Sequence, residues 1–114
     1  MGAGDPRTRD PRIWAIVLLA VSAGSAAAAG RVEDGQSKAM QCVACHGTGG
    51  VAPNPTFPHL AGQNAAYLEI QLRHFRSGQR YHPLMSPVAQ ALSDQDIDDL
   101  AAYYSELRVG GEEP

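Results

Sequence analysis

Cys42 and Cys45 are the two cysteines of the 114-residue chain, and His46 directly follows the second. Three chemistries use a Cys-x-x-Cys pair: a redox disulfide, half of a zinc site, or a tether for a haem. A thioredoxin-type disulfide wants a preceding strand and a βαβ context, and no alternating strand pattern of any length occurs here. A structural zinc takes four ligands. His59, His74 or His82 could supply the fourth, but a histidine immediately behind a cysteine suits one tetrahedral ion poorly, since helical neighbours point about 100° apart. The pentamer Cys-x-x-Cys-His is the signature of covalent c-type haem attachment. Positions i and i+3 share a helix face, so the two thiols can each bond one vinyl group of one macrocycle. His46 then projects its imidazole at the iron from the same side.

The opposite side of the iron needs its own assignment, with Met40, Met85, His59, His74 and His82 as candidates. Met40 shares the stretch that holds the cysteines, hence the proximal side, and reads as core, and His59 lies close to the proximal loop. His74 stands between Arg73 and Arg76 in a helical pattern, which suits a solvated position. His82 and Met85 fall in one distal segment. Pro83 and Pro87 bracket Met85 two residues to each side and fix φ there, which reads as a methionine pinned in an irregular loop and favours Met85 over His82. Methionine–histidine ligation is an electron-transfer pattern; an open distal position would instead mean a ligand sensor or haem catalyst.

The elements that must position these side chains are helical. Residues 33–45 read as one helix, with Asp34 as a plausible cap. Gly47, Gly49, Gly50, Pro53, Pro55 and Pro58 then forbid regular structure, and so long a loop in a small domain is usually functional. A second helix begins at Asn64, keeps a stripe of Tyr67, Leu68, Gln71, Leu72 and Phe75, and stops at Gly78. Residues 79–92 read as a second loop, with a short helical turn at 88–92. Ser93 opens the last helix, and Asp96 three residues on completes a capping-box pattern. Ile97, Leu100, Ala101, Tyr104 and Leu107 form one face of it. Asp94, Asp96, Asp98 and Asp99 crowd its first turns, where the helix dipole favours negative charge, and read as capping plus solvated face rather than as a metal site. The fold expected is all-α: three main helices, long loops and an undersized core.

Residues 1–29 read as a secretory signal peptide. Arg7, Arg9 and Arg12 precede the apolar run 13–21, and Ala27, Ala28 and Ala29 end the segment. The run is short for a bilayer-spanning helix, which needs about 20 apolar residues. Residues 30–114 then form a single domain of about 85 residues, and no membrane insertion is expected after cleavage. From residue 30 onward six Lys and Arg face ten Asp and Glu, a net charge of −4. Nucleic acid is not a partner by this measure, because phosphate contacts need clustered cations. Only two isoleucines, two phenylalanines and no tryptophan remain in that part. A small domain so short of core usually relies on a staple such as a cofactor.

The chain resembles the class I c-type cytochromes, in particular the group that includes the halves of cytochrome c4 and cytochrome c553. The carriers are Cys42-Val43-Ala44-Cys45-His46-Gly47, Phe57-Pro58-His59-Leu60-Ala61-Gly62-Gln63, Met85-Ser86-Pro87 and residues 92–104. The resemblance implies a small cytochrome c fold wrapped around one covalently bound haem c. It implies Cys42 and Cys45 as thioether anchors, His46 and Met85 as axial iron ligands, and the Pro58 carbonyl as acceptor for the His46 ring. It also implies that the first and last helices cross at a small residue, which Gly35 and Ala39 suit, with Tyr103 or Tyr104 opposite. The loop from Arg76 to Arg80 reads equally as a propionate partner or a solvated turn. The expected function is a periplasmic, monomeric one-electron carrier between redox protein partners, not an enzyme. The alternative is the haem-carrying subunit of a dehydrogenase or reductase complex.

Overall fold

The computed structural model describes Gly2 and residues 30–109; the expected signal segment and residues 110–114 lie outside the described residues, Gly2 apart. Those residues form an all-α fold. The stretch expected as one helix is three pieces: α1 (Val32–Lys38), a 3-10 turn (Ala39–Gln41) and α2 (Val43–His46). Arg31, in extended backbone, precedes α1 in place of the expected Asp34 cap. Glu33 and Asp34 lie in its first turn and Lys38 in its last, the charge order that suits the helix dipole. The tightening at Ala39–Gln41 ends α1 early, yet Cys42 keeps right-handed backbone and its carbonyl accepts from His46 N at 2.9 Å. Cys42 to His46 is therefore one closed helical turn.

Helix α3 (Ala65–Ser77) runs from Asn64 to Gly78, which adopts the left-handed conformation and donates to the His74 carbonyl at 3.0 Å. Helix α5 (Asp94–Glu106) opens on a complete capping box: Ser93 Oγ accepts from Asp96 N at 3.0 Å and Asp96 Oδ2 accepts from Ser93 N at 2.9 Å. The distal segment departs from expectation. Met85–Gln90 is a helix, α4, which Met85 opens, so the methionine is not in an irregular loop. Pro87 falls in the first turn of α4, where a missing backbone N–H costs nothing because no intrahelical acceptor awaits it.

Helix α5 is the centre of the packing. It crosses α1 and also packs on α3, and α4 packs on α3. Ala39, Leu68, Leu92, Ile97, Leu100, Ala101, Tyr103, Tyr104 and Leu107 form the buried cluster. At the α1–α5 crossing Gly35 is buried, and any Cβ there would come within 2.7 Å of Tyr103 Cβ and overlap the Asp99 backbone. A glycine in mid-helix weakens the helix by roughly 1 kcal/mol relative to alanine; here it permits the close approach. Tyr103, rather than Tyr104, faces Gly35.

Asp96 caps α5 as expected, but of the four aspartates only Asp94 is exposed to solvent. Asp94 pairs with Arg76 at 2.6 Å and Asp98 with Arg73 at 2.9 Å, both on α3, while Asp96 pairs with Lys38 of α1 at 2.9 Å. Asp99 is 1% exposed and accepts from Lys38 Nζ at 2.5 Å, Arg31 N at 2.8 Å and Gln95 Nε2 at 2.8 Å. Burial opposes its charge, but the Lys38 ammonium, the Arg31 N–H and the Gln95 amide outweigh burial and hold the carboxyl at about 2. Capping is observed; the burial of Asp99 was not foreseen because its partners are 61 and 68 residues away in sequence, beyond the reach of any local pattern.

Candidate haem site

The site is built on the turn Cys42–His46. Both cysteines are unbridged thiols, each half-buried. Burial pushes the Cys42 thiol up, opposed by a contact with Tyr104 and reinforced by Cys45. His46 is buried, and its Nδ1 lies 2.9 Å from the Pro58 carbonyl oxygen. That carbonyl can only accept, so Nδ1 carries the proton and Nε2 is left with the free lone pair. A carbonyl behind a ligating imidazole fixes its tautomer and orientation.

Sequence places Pro58 twelve residues after His46, and the loop brings it back. Gly47 ends α2 at φ 84°, where a side chain would overlap the Val51 carbonyl. The Gly50 carbonyl then accepts from Leu60 N at 2.7 Å and Ala61 N at 3.0 Å, which folds 47–64 onto itself. Gly62 N donates to the Tyr104 carbonyl at 2.9 Å and ties the loop to α5. His59 is exposed and is engaged in this loop, its Nδ1 accepting from Ala52 N at 2.8 Å.

On the distal segment His82 and Met85 have different surroundings. His82 is exposed, and its Nδ1 accepts from Leu84 N at 3.1 Å and Met85 N at 3.4 Å; its backbone N–H donates to Ser86 Oγ at 2.9 Å. It thus satisfies backbone N–H groups at the start of α4, whose N-cap position is Leu84, a role the sequence reading missed because histidine is not among the usual capping residues. Met85 is half-buried. Met40 is 74% exposed, so it belongs to the surface, not the core. His74 is half-buried on α3, with its carbonyl accepting from Gly78 and Arg80 N–H groups. At the end of α3 Arg76 binds Asp94 and the Leu92 carbonyl, and in the exposed turn that follows Arg80 lies 4.4 Å over the Phe75 ring and donates to Gln71 at 2.8 Å.

The residues fit a covalently held haem. Two unbridged thiols lie one turn apart, followed by an imidazole whose outer nitrogen is engaged and whose inner nitrogen can bind iron. Among the described residues no three His, Cys, Asp or Glu side chains are grouped so as to hold a metal ion. Tyr67 and Ile70 of α3, Val88 of α4, and Tyr81 and Leu84 between the two helices are exposed to solvent.

An all-α fold closed around such a turn defines a class, the haem proteins that hold their cofactor by thioether bonds. Residues 30–103 match the family described as "Cytochrome C oxidase, cbb3-type, subunit III", and the chain belongs to this family of c-type cytochromes. It is 51% identical over 80 residues to cytochrome c-554(548) of Halomonas halodenitrificans, covering 68% of this chain and 96% of that protein. The crystal structure of reduced cytochrome c4 from Pseudomonas stutzeri superposes with a TM-score of 0.67 at 42% identity, covering 70% of this chain and 47% of that one. The thiosulfate dehydrogenase electron acceptor of Thiomonas intermedia is 44% identical over 75 residues, 65% of this chain and 35% of that protein. The chain thus spans nearly all of the first relative, about half of the second and a third of the last. Haem c is its covalently bound cofactor, the Cys42 and Cys45 pair fits the Cys-x-x-Cys-His motif, and electron transfer is its chemistry.

Proposed function

We propose that the protein is an exported, periplasmic one-electron carrier with histidine–methionine ligation. Cys42 and Cys45 form the thioethers, His46 and Met85 the axial bonds, and residues 1–29 are removed as a signal peptide to leave one domain at 30–114. The observation that carries this reading is the His46–Pro58 hydrogen bond, which orients a buried imidazole on the turn that holds both thiols. Half-burial of Met85 beside an exposed His82 engaged by backbone N–H groups supports the distal assignment. When bound, the haem supplies an iron that takes up and releases one electron. The chain's part is to hold the ring, fix both ligands and exclude water. No bond to a substrate is made, so no general acid, base or nucleophile is needed, and the protein is not itself an enzyme. Among the described residues no helix is long and apolar enough to cross a membrane; the carrier is read as a monomer.

The test is carbon monoxide added to the purified, reduced holoprotein at neutral pH. A six-coordinate carrier leaves the spectrum unchanged, and rapid binding would refute the His/Met carrier.

A second reading rests on the relative named thiosulfate dehydrogenase electron acceptor. Here the chain is the haem subunit of an enzyme complex, passing electrons from a catalytic partner. Purification of the native protein distinguishes the two: a carrier elutes alone, a subunit with its partner.

A further inference from the structure

Tyr104 is the one buried side chain among the described residues whose polar atom has no hydrogen-bond partner. An unsatisfied buried hydroxyl costs about 1–3 kcal/mol, and Tyr O–H groups usually find a partner when buried. Its neighbour of interest is Cys42. The two side chains interact, and Cys42 packs against the cluster to which Tyr104 belongs, yet no hydrogen bond of ordinary geometry joins them. Burial pushes the Tyr104 hydroxyl well above its usual range, with Cys42 adding to the effect, so this oxygen keeps its proton and can only act as a neutral donor or acceptor. Tyr103, by contrast, is turned towards Gly35 and meets Tyr104 edge-on at 5.1 Å between ring centroids. The position of the Tyr104 ring is therefore fixed by the helix crossing as well as by the Gly62 N–H on its carbonyl.

Thioether formation changes what Cys42 offers. A thiol can donate as well as accept, whereas a thioether sulfur has only lone pairs and is a weak acceptor. The hydroxyl then faces a group that needs a donor. We propose that in the haem-loaded protein the Tyr104 hydroxyl donates a hydrogen bond to the Cys42 thioether sulfur and thereby tunes the haem. Tyr104 is a positioning residue: it touches the tether, not the iron. Donation draws electron density from sulfur and, through the ring, from the metal, which favours Fe(II) over Fe(III). Hydrogen bonding beyond the ligands is one of the levers by which a protein sets haem potential.

The inference rests on Cys42 carrying a thioether, as proposed above, and that point is checked separately. The pyridine haemochrome spectrum and the intact mass of the holoprotein report whether both thioethers are present. Failure there refutes the attachment reading and leaves Tyr104 aside. With attachment established, wild type and Tyr104→Phe holoproteins are compared by equilibrium reduction potential and by resonance Raman of the C–S stretch in H2O and D2O. The expected result is a C–S band that shifts in D2O for wild type and not for the variant. The Fe(II)/Fe(III) ratio at fixed applied potential should fall three- to tenfold in the variant, a potential lower by about 30–60 mV. An unchanged potential with an isotope-insensitive band, in a variant at least as stable as wild type, would show an unpaired hydroxyl and overturn the proposal. A potential shift without any isotope-sensitive C–S band would also overturn it, because the hydroxyl would then bond another part of the haem.

Discussion

Lys38 Nζ lies 2.5 Å from Asp99 Oδ2, joining the last turn of the first helix to the sixth residue of the last helix at a carboxylate that is 1% exposed. The same carboxylate accepts from Arg31 N and Gln95 Nε2. One side chain therefore gathers the start of α1, its end and its own helix. Such a group affects stability through its three bonds and, because its ionisation is coupled to folding, through pH.

The pH dependence has a definite sign. Asp99 is held at about 2 in the folded chain against an ordinary 3.8. A carboxyl lowered on folding stabilises above its unfolded value and loses that contribution as pH falls through the folded value. Holoprotein stability should therefore drop between about pH 4 and pH 2. In Asp99→Asn this part of the acid limb flattens, which a series of thermal unfolding curves at stepped pH would reveal; an unchanged acid limb would count against the assignment. Asp99→Ala should cost about 2–3 kcal/mol at neutral pH, since it orphans the Arg31 N–H and the Gln95 amide.

Gly35→Ala should destabilise although alanine is the better helix former. The added methyl meets Asp99 backbone and Tyr103 Cβ, neither of which can yield without moving α5. Overpacking of this kind costs about 1–3 kcal/mol. Denaturant unfolding of the variant gives the value, and a stabilised variant would mean that the crossing is looser than described.

Met85→Ala should open the distal side. The reduced variant is expected to bind carbon monoxide rapidly at neutral pH where the parent does not, and its reduction potential should fall, because methionine ligation raises it. A parent-like spectrum and potential in Met85→Ala would reassign the ligand, with His82 the next residue to replace.

Ser93→Ala removes one half of the α5 capping box and should cost about 1 kcal/mol. Helix α5 packs on both α1 and α3, so the loss should appear as global destabilisation and not as local fraying. Amide hydrogen exchange resolves the two.

What was legible in the sequence was whatever rests on neighbours along the chain. The Ser93–Asp96 box, the α3 stop at Gly78 and the α5 stripe of Ile97, Leu100, Ala101, Tyr104 and Leu107 are all local patterns, and all are observed. The haem motif is likewise local, five contiguous residues from Cys42 to His46. What was misread depends on distant partners. Asp99 looked like one more acid in a capping cluster until Lys38 and Arg31 arrived from the other end of the chain. Met85 looked like a loop residue because prolines stood on both sides, yet Pro87 sits in the first turn of α4, where a helix tolerates it. The break of the first helix at Ala39–Gln41 has no marker in residue type; glutamine, methionine and alanine all accept helix.

The ion pairs of α5 also alter the charge seen from outside. An acidic surface would draw a basic partner at a rate that falls with salt. Asp94 pairs with Arg76 and Asp98 with Arg73, while Asp96 and Asp99 share Lys38, so three cations offset four carboxylates and less of the acidity is available for long-range attraction than the sequence count suggests.

The Arg31–Asp99 bond spans 68 residues, which bears on the order in which the molecule can assemble. The first helix finds its partner only in the last, so the core cannot close around an incomplete chain. Bringing such distant segments together carries a loop-closure entropy that contacts made earlier along the chain do not relieve. Until that closure, Cys42 and Cys45 stand on a single turn without its covering helix. The contact between Cys42 and Tyr104, 62 residues apart, waits on the same closure.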